Sequence, residues 1–216
     1  MRRKSVTGAG PKRDPPVIPS ADEVKRNRAL IGDVLAGISA RRAGVRFGAS
    51  KALRIISESA PEVLYPHFDF FAALLDYDNQ ILQWNALLTL ANLARVDSAG
   101  KIEALLDRYL RLISGPSMIT AANAMRGAAI IGAAKPHLAK RIVSGIMRVE
   151  RVDYATPECR NVALGHALQA LEVLADLLPD RRGVRAFATR QLANPRPATR
   201  TKAHKFLKGR EPPAKS

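Results

Sequence analysis

Apolar residues recur at helical spacing along most of the chain, in blocks that short polar turns separate. The clearest block lies between Asp76 and Asp97, where a polar turn leads into about four turns of helix that are apolar on nearly every side. A helix of this kind in a soluble chain has to be covered by other helices. Because β-branched residues nowhere alternate with polar ones over a useful length, the pattern predicts an all-α protein.

The pattern predicts ten helices joined as five hairpins. The first helix begins at a cap on Ser20 or Asp22 and ends near Gly37, where polar residues interrupt the apolar spacing. The remaining helices are predicted over residues 45–59, 61–75, 80–95, 98–113, 118–134, 136–149, 158–178, 181–192 and 198–207.

The second helices of successive hairpins align with one another. Ala49 and Ala86 occupy equivalent positions at an offset of 37 residues, Ala124 follows at 38, and Ala163 follows at 39. A period of this size with two helices in each unit is typical of an α-solenoid.

The motif in these second helices resembles a HEAT repeat, in which a polar turn with aspartate precedes an apolar helix with alanine and leucine at fixed spacing. Residues 78–93 match this pattern best, residues 43–56 match it next best, and the resemblance extends over about residues 22–207. It implies a right-handed α-solenoid of about five antiparallel helical hairpins, with the second helices lining a concave face. HEAT repeats share a structure and not a chemistry, so the resemblance implies no activity.

Two aromatic residues are candidates for binding a partner on that concave face. Trp84 lies on the side of its helix away from the hairpin partner, and Phe47 occupies the corresponding position one repeat earlier. In one interpretation both rings fill gaps between neighbouring inner helices. In the other they anchor a ligand, since tryptophan is enriched among the residues that dominate binding energy.

Charge is concentrated at the two ends of the chain. Residues 1–58 carry a net charge of +8 and residues 181–216 carry +10, whereas the middle is close to neutral. Basic ends either keep a repeat array soluble or bind a polyanion. The candidates for polyanion binding are Arg42, Arg46, Lys51 and Arg54 in the first inner helix and Arg181, Arg182, Arg185, Arg190, Arg196, Arg200 and Lys202 in the last unit.

The termini, the cysteine and histidine content and the length of the apolar runs limit the class of protein further. Residues 1–20 are rich in proline and basic groups and are predicted to form a disordered arm, residues 21–208 the repeat domain, and residues 209–216 a flexible tail. The single cysteine and four scattered histidines predict no metal site and no cofactor. No apolar run is long enough to span a bilayer, so we expect an intracellular, soluble and by default cytoplasmic protein without membrane contact.

Three hypotheses on function follow. The favoured one is a non-enzymatic scaffold that binds a protein partner through its concave face. The second is a nucleic-acid-binding protein whose basic terminal repeats contact phosphates. The third is an enzyme: HEAT-like alkylpurine DNA glycosylases are basic and of similar size, and they use aromatic residues with an aspartate and an arginine in the concave groove, a pattern that this chain does not match residue by residue. The sequence leaves the oligomeric state open.

Overall fold

A computed structural model describes residues 18–209, and this part of the chain is helical without a β-strand. The all-α class predicted from the apolar pattern is therefore confirmed. The α-helices of this range are α1 (Ala21–Arg26), α2 (Ile31–Gly37), α3 (Ala43–Ser59), α4 (Pro61–Leu64), α5 (Phe68–Ala73), α6 (Gln80–Leu93), α7 (Lys101–Arg111), α8 (Met118–Ala134), α9 (Ala139–Met147), α10 (Pro157–Leu174), α11 (Arg182–Arg190) and α12 (Pro197–Lys208).

The helices form five consecutive hairpins, as the repeat period predicts. In the first two hairpins the first arm consists of two short helices, α1 with α2 and then α4 with α5. In the other three hairpins it is a single helix, α7, α9 or α11. The second arms are, in order, α3, α6, α8, α10 and α12. Each second arm packs against the second arm of the next hairpin, so these five helices form one continuous layer. We call the free side of this layer the inner-helix face and the opposite side of the protein the outer-helix face.

Capping residues reproduce the repeat period. Asn79, Ser117 and Thr156 each accept a hydrogen bond from a backbone amide in the first turn of α6, α8 and α10, respectively. Such caps pair amides that have no partner within their own helix. Since these caps lie 38 and 39 residues apart, α6, α8 and α10 begin at the same point of their repeats.

Dense packing on both sides explains why α6 and α8 are apolar nearly all round. Leu82, Leu90 and Leu93 of α6 are fully buried, and Ala91 of α6 lies close to Gly127 of α8. Each fully buried leucine stabilises the fold by about 1.5–3 kcal/mol. The small residues at the crossing allow the two helix backbones to approach each other closely.

The predicted ranges agree well with the inner helices and less well with the outer ones. The predictions of an unbroken first helix and of one continuous helix over 61–75 are wrong. The first is interrupted at Asn27, whose side chain accepts a hydrogen bond from the Ala29 amide. The second changes to a 3-10 turn at Tyr65–His67, because Pro66 has no amide hydrogen to continue the helix.

Several predicted ends also need correction. Helix α7 begins at Lys101 and not at 98, because Gly100 has a φ of 70° and the Asp97 carboxylate accepts the first amides of the helix. Helix α9 is flanked by 3-10 turns, and α10 ends at Leu174 with a 3-10 turn after it instead of continuing to 178.

The predicted arm and tail lie outside the described residues, apart from 18–20 and Gly209. Within 18–209, no helix is both long enough and apolar enough to cross a bilayer.

Candidate binding surface on the inner-helix face

A cleft of about 700 Å³ opens on the inner-helix face between α8 and α10. Its walls are small and aliphatic, and Val173 leaves 53% of its surface exposed there. The lining residues are Arg95, Ala122, Arg126, Ala129, Ile130, Ala133, Ala134, His166, Gln169, Ala170 and Val173. A concave apolar surface with a few polar groups at its edge has the composition of a site for a partner's apolar side chains.

Two arginines border the cleft, and the structure gives them different roles. Arg95 follows α6 and donates hydrogen bonds to the carbonyls of Ser57, at 3.1 Å, and Glu58, at 2.7 Å. It therefore ties the end of α6 to the end of α3. Arg126, in contrast, is exposed and has no hydrogen bond or ion pair to any residue in the described part of the chain. Its guanidinium group is therefore not engaged by any residue that the structure describes.

His166 contributes a neutral polar group to the cleft wall. Burial lowers the pKa of His166 below its ordinary value, and the nearby cations Lys202 and Arg196 lower it further. At neutral pH its imidazole is uncharged and can both donate and accept a hydrogen bond. The lining residues of the cleft include neither a carboxylate nor a phenylalanine, tyrosine or tryptophan.

Trp84 and Phe47 do not line this cleft. Trp84 is half-buried, and its indole Nε1 donates a 2.9 Å hydrogen bond to Thr120 Oγ1 of α8. Phe47 is also half-buried, with the Arg46 guanidinium carbon 5.5 Å from its ring centroid. The Trp84 contact corresponds to the first of the two predicted roles, because it joins neighbouring inner helices. Ligand binding by either ring stays a prediction.

Three of the four basic candidates in the first inner helix contact other groups of the protein. Arg46 donates to the carbonyls of Ala40, at 2.8 Å, and Arg41, at 2.9 Å, and so closes the turn before α3. Arg54 forms an ion pair with Glu58 one turn later. Arg42 also has a partner, whereas Lys51 is exposed and has none among the described residues.

All seven candidates in the last hairpin likewise contact other groups of the protein. Arg190 pairs with Glu150, at 2.7 Å, and Arg200 binds the Asn194 and Pro195 carbonyls as Arg46 binds those before α3. The other contacts of this group are Arg181 with Asp176, Arg182 with Asp180, Arg196 with Glu158, and Lys202 with Gln169, and Arg185 has a partner too.

The two basic groups also lie far apart in the stack. Helix α3 belongs to the first hairpin and α12 to the last, and α6, α8 and α10 lie between them. The structure therefore does not bring the N-terminal and C-terminal candidates together on one surface.

Sequence reasoning missed Arg126, His166 and Val173 as components of one site. The signal for Val173 is an aliphatic residue at an exposed helix position, but such residues are common on protein surfaces. The described residues bring together no group of three or more histidine, cysteine, aspartate or glutamate side chains that could hold a metal.

Comparison with known proteins identifies the fold of the chain only. No family model matches the chain, and no curated protein matches it either. Among solved structures, a designed armadillo repeat protein is 16% identical with a TM-score of 0.59, over 88% of this chain and 87% of that one. An engineered protein is 17% identical with a TM-score of 0.54, over 88% of this chain and 83% of that one.

The fold is thus an α-solenoid of the HEAT and armadillo kind. This agrees with the resemblance found in the sequence and with the five stacked hairpins. At this level of identity the likeness concerns the fold alone.

Proposed function

We propose that this protein is a non-enzymatic interaction module that binds a segment of a partner protein along its inner-helix face. The observation that supports this most directly is the α8–α10 cleft, which combines exposed aliphatic walls with an arginine at its edge that pairs with no residue between 18 and 209. A continuous basic groove would favour nucleic acid, whereas an apolar groove with few charges favours a peptide.

The chemistry of the cleft defines the segment it would accept. Aliphatic side chains of the segment contact Val173, Ile130 and the alanines around them, where burial of apolar surface drives association. A carboxylate of the segment pairs with Arg126, whose planar guanidinium suits two parallel hydrogen bonds to a carboxylate. The preferred partner is therefore an apolar segment that also carries an aspartate or glutamate.

A display library of random peptides, selected on the immobilised protein, tests this directly. We expect enriched peptides to combine aliphatic residues with a carboxylate. Val173→Asp places a charge in the apolar wall and should weaken the binding of such peptides at least about tenfold. Arg126→Glu should have a similar effect on acidic peptides.

Arg111→Glu is the matched control, because Arg111 is an exposed arginine on α7, an outer helix, and does not line the cleft. It makes the same change in net charge as Arg126→Glu. Enriched peptides that bind Val173→Asp and Arg126→Glu as tightly as the wild type would contradict the proposal. So would equal losses in the Arg111 variant.

The nucleic-acid hypothesis has a separate test. Binding of a generic duplex DNA through the terminal repeats should fall steeply between low and moderate salt, because phosphate contacts release counterions. Glu150 offsets the charge of Arg190, and backbone carbonyls occupy guanidinium donors of Arg46 and Arg200, so these groups are less available for phosphate contacts. Charge reversal at Arg185, Arg190 and Arg200 should abolish such binding, and its absence at low salt would rule it out.

The glycosylase hypothesis gains no support from the cleft. Its lining residues supply no carboxylate to activate water and no large aromatic ring to stack on a base. Release of a modified base from alkylated DNA is the direct assay.

A further inference from the structure

A second groove, of about 750 Å³, lies between α7 and α9 on the outer-helix face. Basic side chains from both helices and from the turn after α9 converge on it. Its lining residues are Asp107, Leu110, Arg111, His137, Lys140, Arg141, Ser144, Gly145 and Arg148. Four of these residues are lysine or arginine and one is acidic, so the groove carries a local excess of positive charge.

The acidic residue is already engaged by one of the four cations. Arg141 donates hydrogen bonds to Asp107, with Nη2 at 2.6 Å from one carboxylate oxygen and Nε at 3.1 Å from the other. This bond lowers the pKa of Asp107, and the charges of Arg141, Arg111 and Arg148 lower it further. The three arginines therefore lie near one carboxylate, which neutralises only one of them.

The remaining cations of the groove have no such partner. Arg111, Lys140 and Arg148 are exposed, and none of them forms a hydrogen bond or ion pair with another residue between 18 and 209. Several like charges that share the single carboxylate of Asp107 raise the free energy of the folded state, and an anionic ligand would reduce this cost. Ser144 adds a hydroxyl donor on the same surface.

Neighbouring parts of the outer-helix face do not share this excess. On the side of the second hairpin, Lys101 pairs with Asp69 at 2.8 Å and Arg108 with Asp76 at 2.5 Å. On the side of the last hairpin, Arg182 pairs with Asp180 at 2.8 Å. The cations named on both sides of the groove thus have carboxylate partners, unlike Arg111, Lys140 and Arg148.

We propose that this groove binds a compact ligand with clustered phosphate groups, through Arg111, Lys140 and Arg148. Three converging cations match a ligand with several negative charges, and the arginine forks suit phosphate oxygens. Because cations paired with carboxylates flank the groove on both sides, a compact polyphosphate fits the groove better than a long nucleic acid. The site is separate from the peptide cleft on the inner-helix face and does not depend on it.

Inorganic tripolyphosphate is the probe for this site, and isothermal titration calorimetry at low salt is the measurement. We expect one saturable binding event whose affinity falls as salt rises. The double variant Lys140→Gln, Arg148→Gln should weaken binding at least about tenfold, because each substitution removes a charge-assisted contact. All substituted side chains are exposed, so the variants should fold as the wild type does.

The matched control is the double variant Arg126→Gln, Arg151→Gln, which removes the same net charge from exposed arginines that do not line the groove. Retained affinity in this control supports a defined site. Equal weakening in both double variants would show that tripolyphosphate responds only to the overall charge of the protein, and would overturn the proposal. So would the absence of saturable binding.

A generic duplex DNA serves as the competing probe. If the duplex bound, lost affinity in the Lys140→Gln, Arg148→Gln variant, and tripolyphosphate did not bind, the groove would be a nucleic-acid contact and the proposal of a compact ligand would be wrong. If tripolyphosphate bound as expected and the duplex did not compete with it for the groove, the result would support the proposal of a compact ligand.

Discussion

The phenolic hydroxyl of Tyr65 donates a 2.6 Å hydrogen bond to the carboxylate of Asp97. The same carboxylate accepts the backbone amides of Lys101, at 2.9 Å, and Ile102, at 3.1 Å. Lys135 completes the set, with its ammonium 3.3 Å from the carboxylate and 2.8 Å from the Asp97 carbonyl. Tyr65 belongs to the second hairpin and Lys135 follows the third, so Asp97 joins consecutive hairpins through one buried charge.

Substitutions at this network should destabilise the fold in a graded way. The side chain of Asp97 is fully buried and that of Lys135 is 17% exposed. Tyr65→Phe removes one hydrogen bond to a charged group and should lower the free energy of unfolding by about 2 kcal/mol. Asp97→Ala leaves the ammonium and two amides without their partner and should cost about 3–5 kcal/mol. Urea unfolding measures both, and an Asp97→Ala cost below that of Tyr65→Phe would contradict the role assigned to the carboxylate.

At Gly127, close packing predicts that alanine destabilises the protein, whereas helix propensity alone predicts that it stabilises the protein. A Cβ atom at this position would overlap the phenolic oxygen of Tyr109 and lie 3.2 Å from the Ala91 Cβ. Tyr109 cannot move freely, because it is buried and donates a 2.9 Å hydrogen bond to the Leu87 carbonyl. Gly127→Ala should therefore destabilise the protein by about 1–3 kcal/mol through overpacking.

Gly48 provides the control for Gly127. It lies within α3, is exposed, and has open space where a Cβ would be added. Gly48→Ala should stabilise the protein by up to about 1 kcal/mol, because alanine favours the helix. Thermal unfolding of both variants separates packing from propensity, and a stabilising Gly127→Ala would show that Tyr109 and Ala91 do not pack closely against Gly127.

The fold could be predicted from sequence because its determinants are local and repeated. Side-chain caps such as Asn79 and Ser117 mark the three central inner helices, and small residues recur at the same positions after them. The irregular outer helices were harder, since the interruption at Asn27 depends on one side chain and α7 begins directly after a positive-φ glycine.

The candidate sites could not be predicted in the same way. In sequence, Arg95 and Arg126 are both arginines associated with inner helices. They differ because Arg95 reaches the carbonyls at the end of α3 and Arg126 reaches no partner in the described structure. Similarly, Arg190 appeared available as a polyanion contact, although Glu150, 40 residues away, binds it. Contacts at such separations depend on how the hairpins stack.

Stability should depend on pH through His166. Burial lowers the pKa of His166 in the folded protein below the ordinary value of 6.5, with Lys202 and Arg196 adding to the shift. The unfolded chain therefore binds a proton at a higher pH than the folded protein does, and stability falls as the pH drops below about 6.5. His166→Gln should lose less stability than the wild type between about pH 7 and pH 5.5. Chemical unfolding across this range measures it, and parallel curves would contradict the prediction.

Trp84 is the residue for which packing and ligand binding make different predictions. Its indole N–H reaches Thr120 on α8, so removal of the ring should loosen the contact between the second and third hairpins. For a half-buried ring we expect Trp84→Ala to cost about 2–3 kcal/mol, less than a fully buried tryptophan would. Trp84→Phe keeps most of the apolar contact and should cost about 1 kcal/mol through the lost hydrogen bond.

A double-mutant cycle between Trp84→Phe and Thr120→Val isolates this hydrogen bond. The Thr120 hydroxyl also lies 3.3 Å from the Gln83 side-chain oxygen, and keeping Gln83 in every variant cancels that contribution. We expect a coupling energy of about 0.5–1.5 kcal/mol for the pair. If Trp84→Ala instead unfolded at the wild-type urea concentration and lost affinity for the selected peptides, the ring would be a ligand anchor, and the binding surface would extend from the α8–α10 cleft to α6.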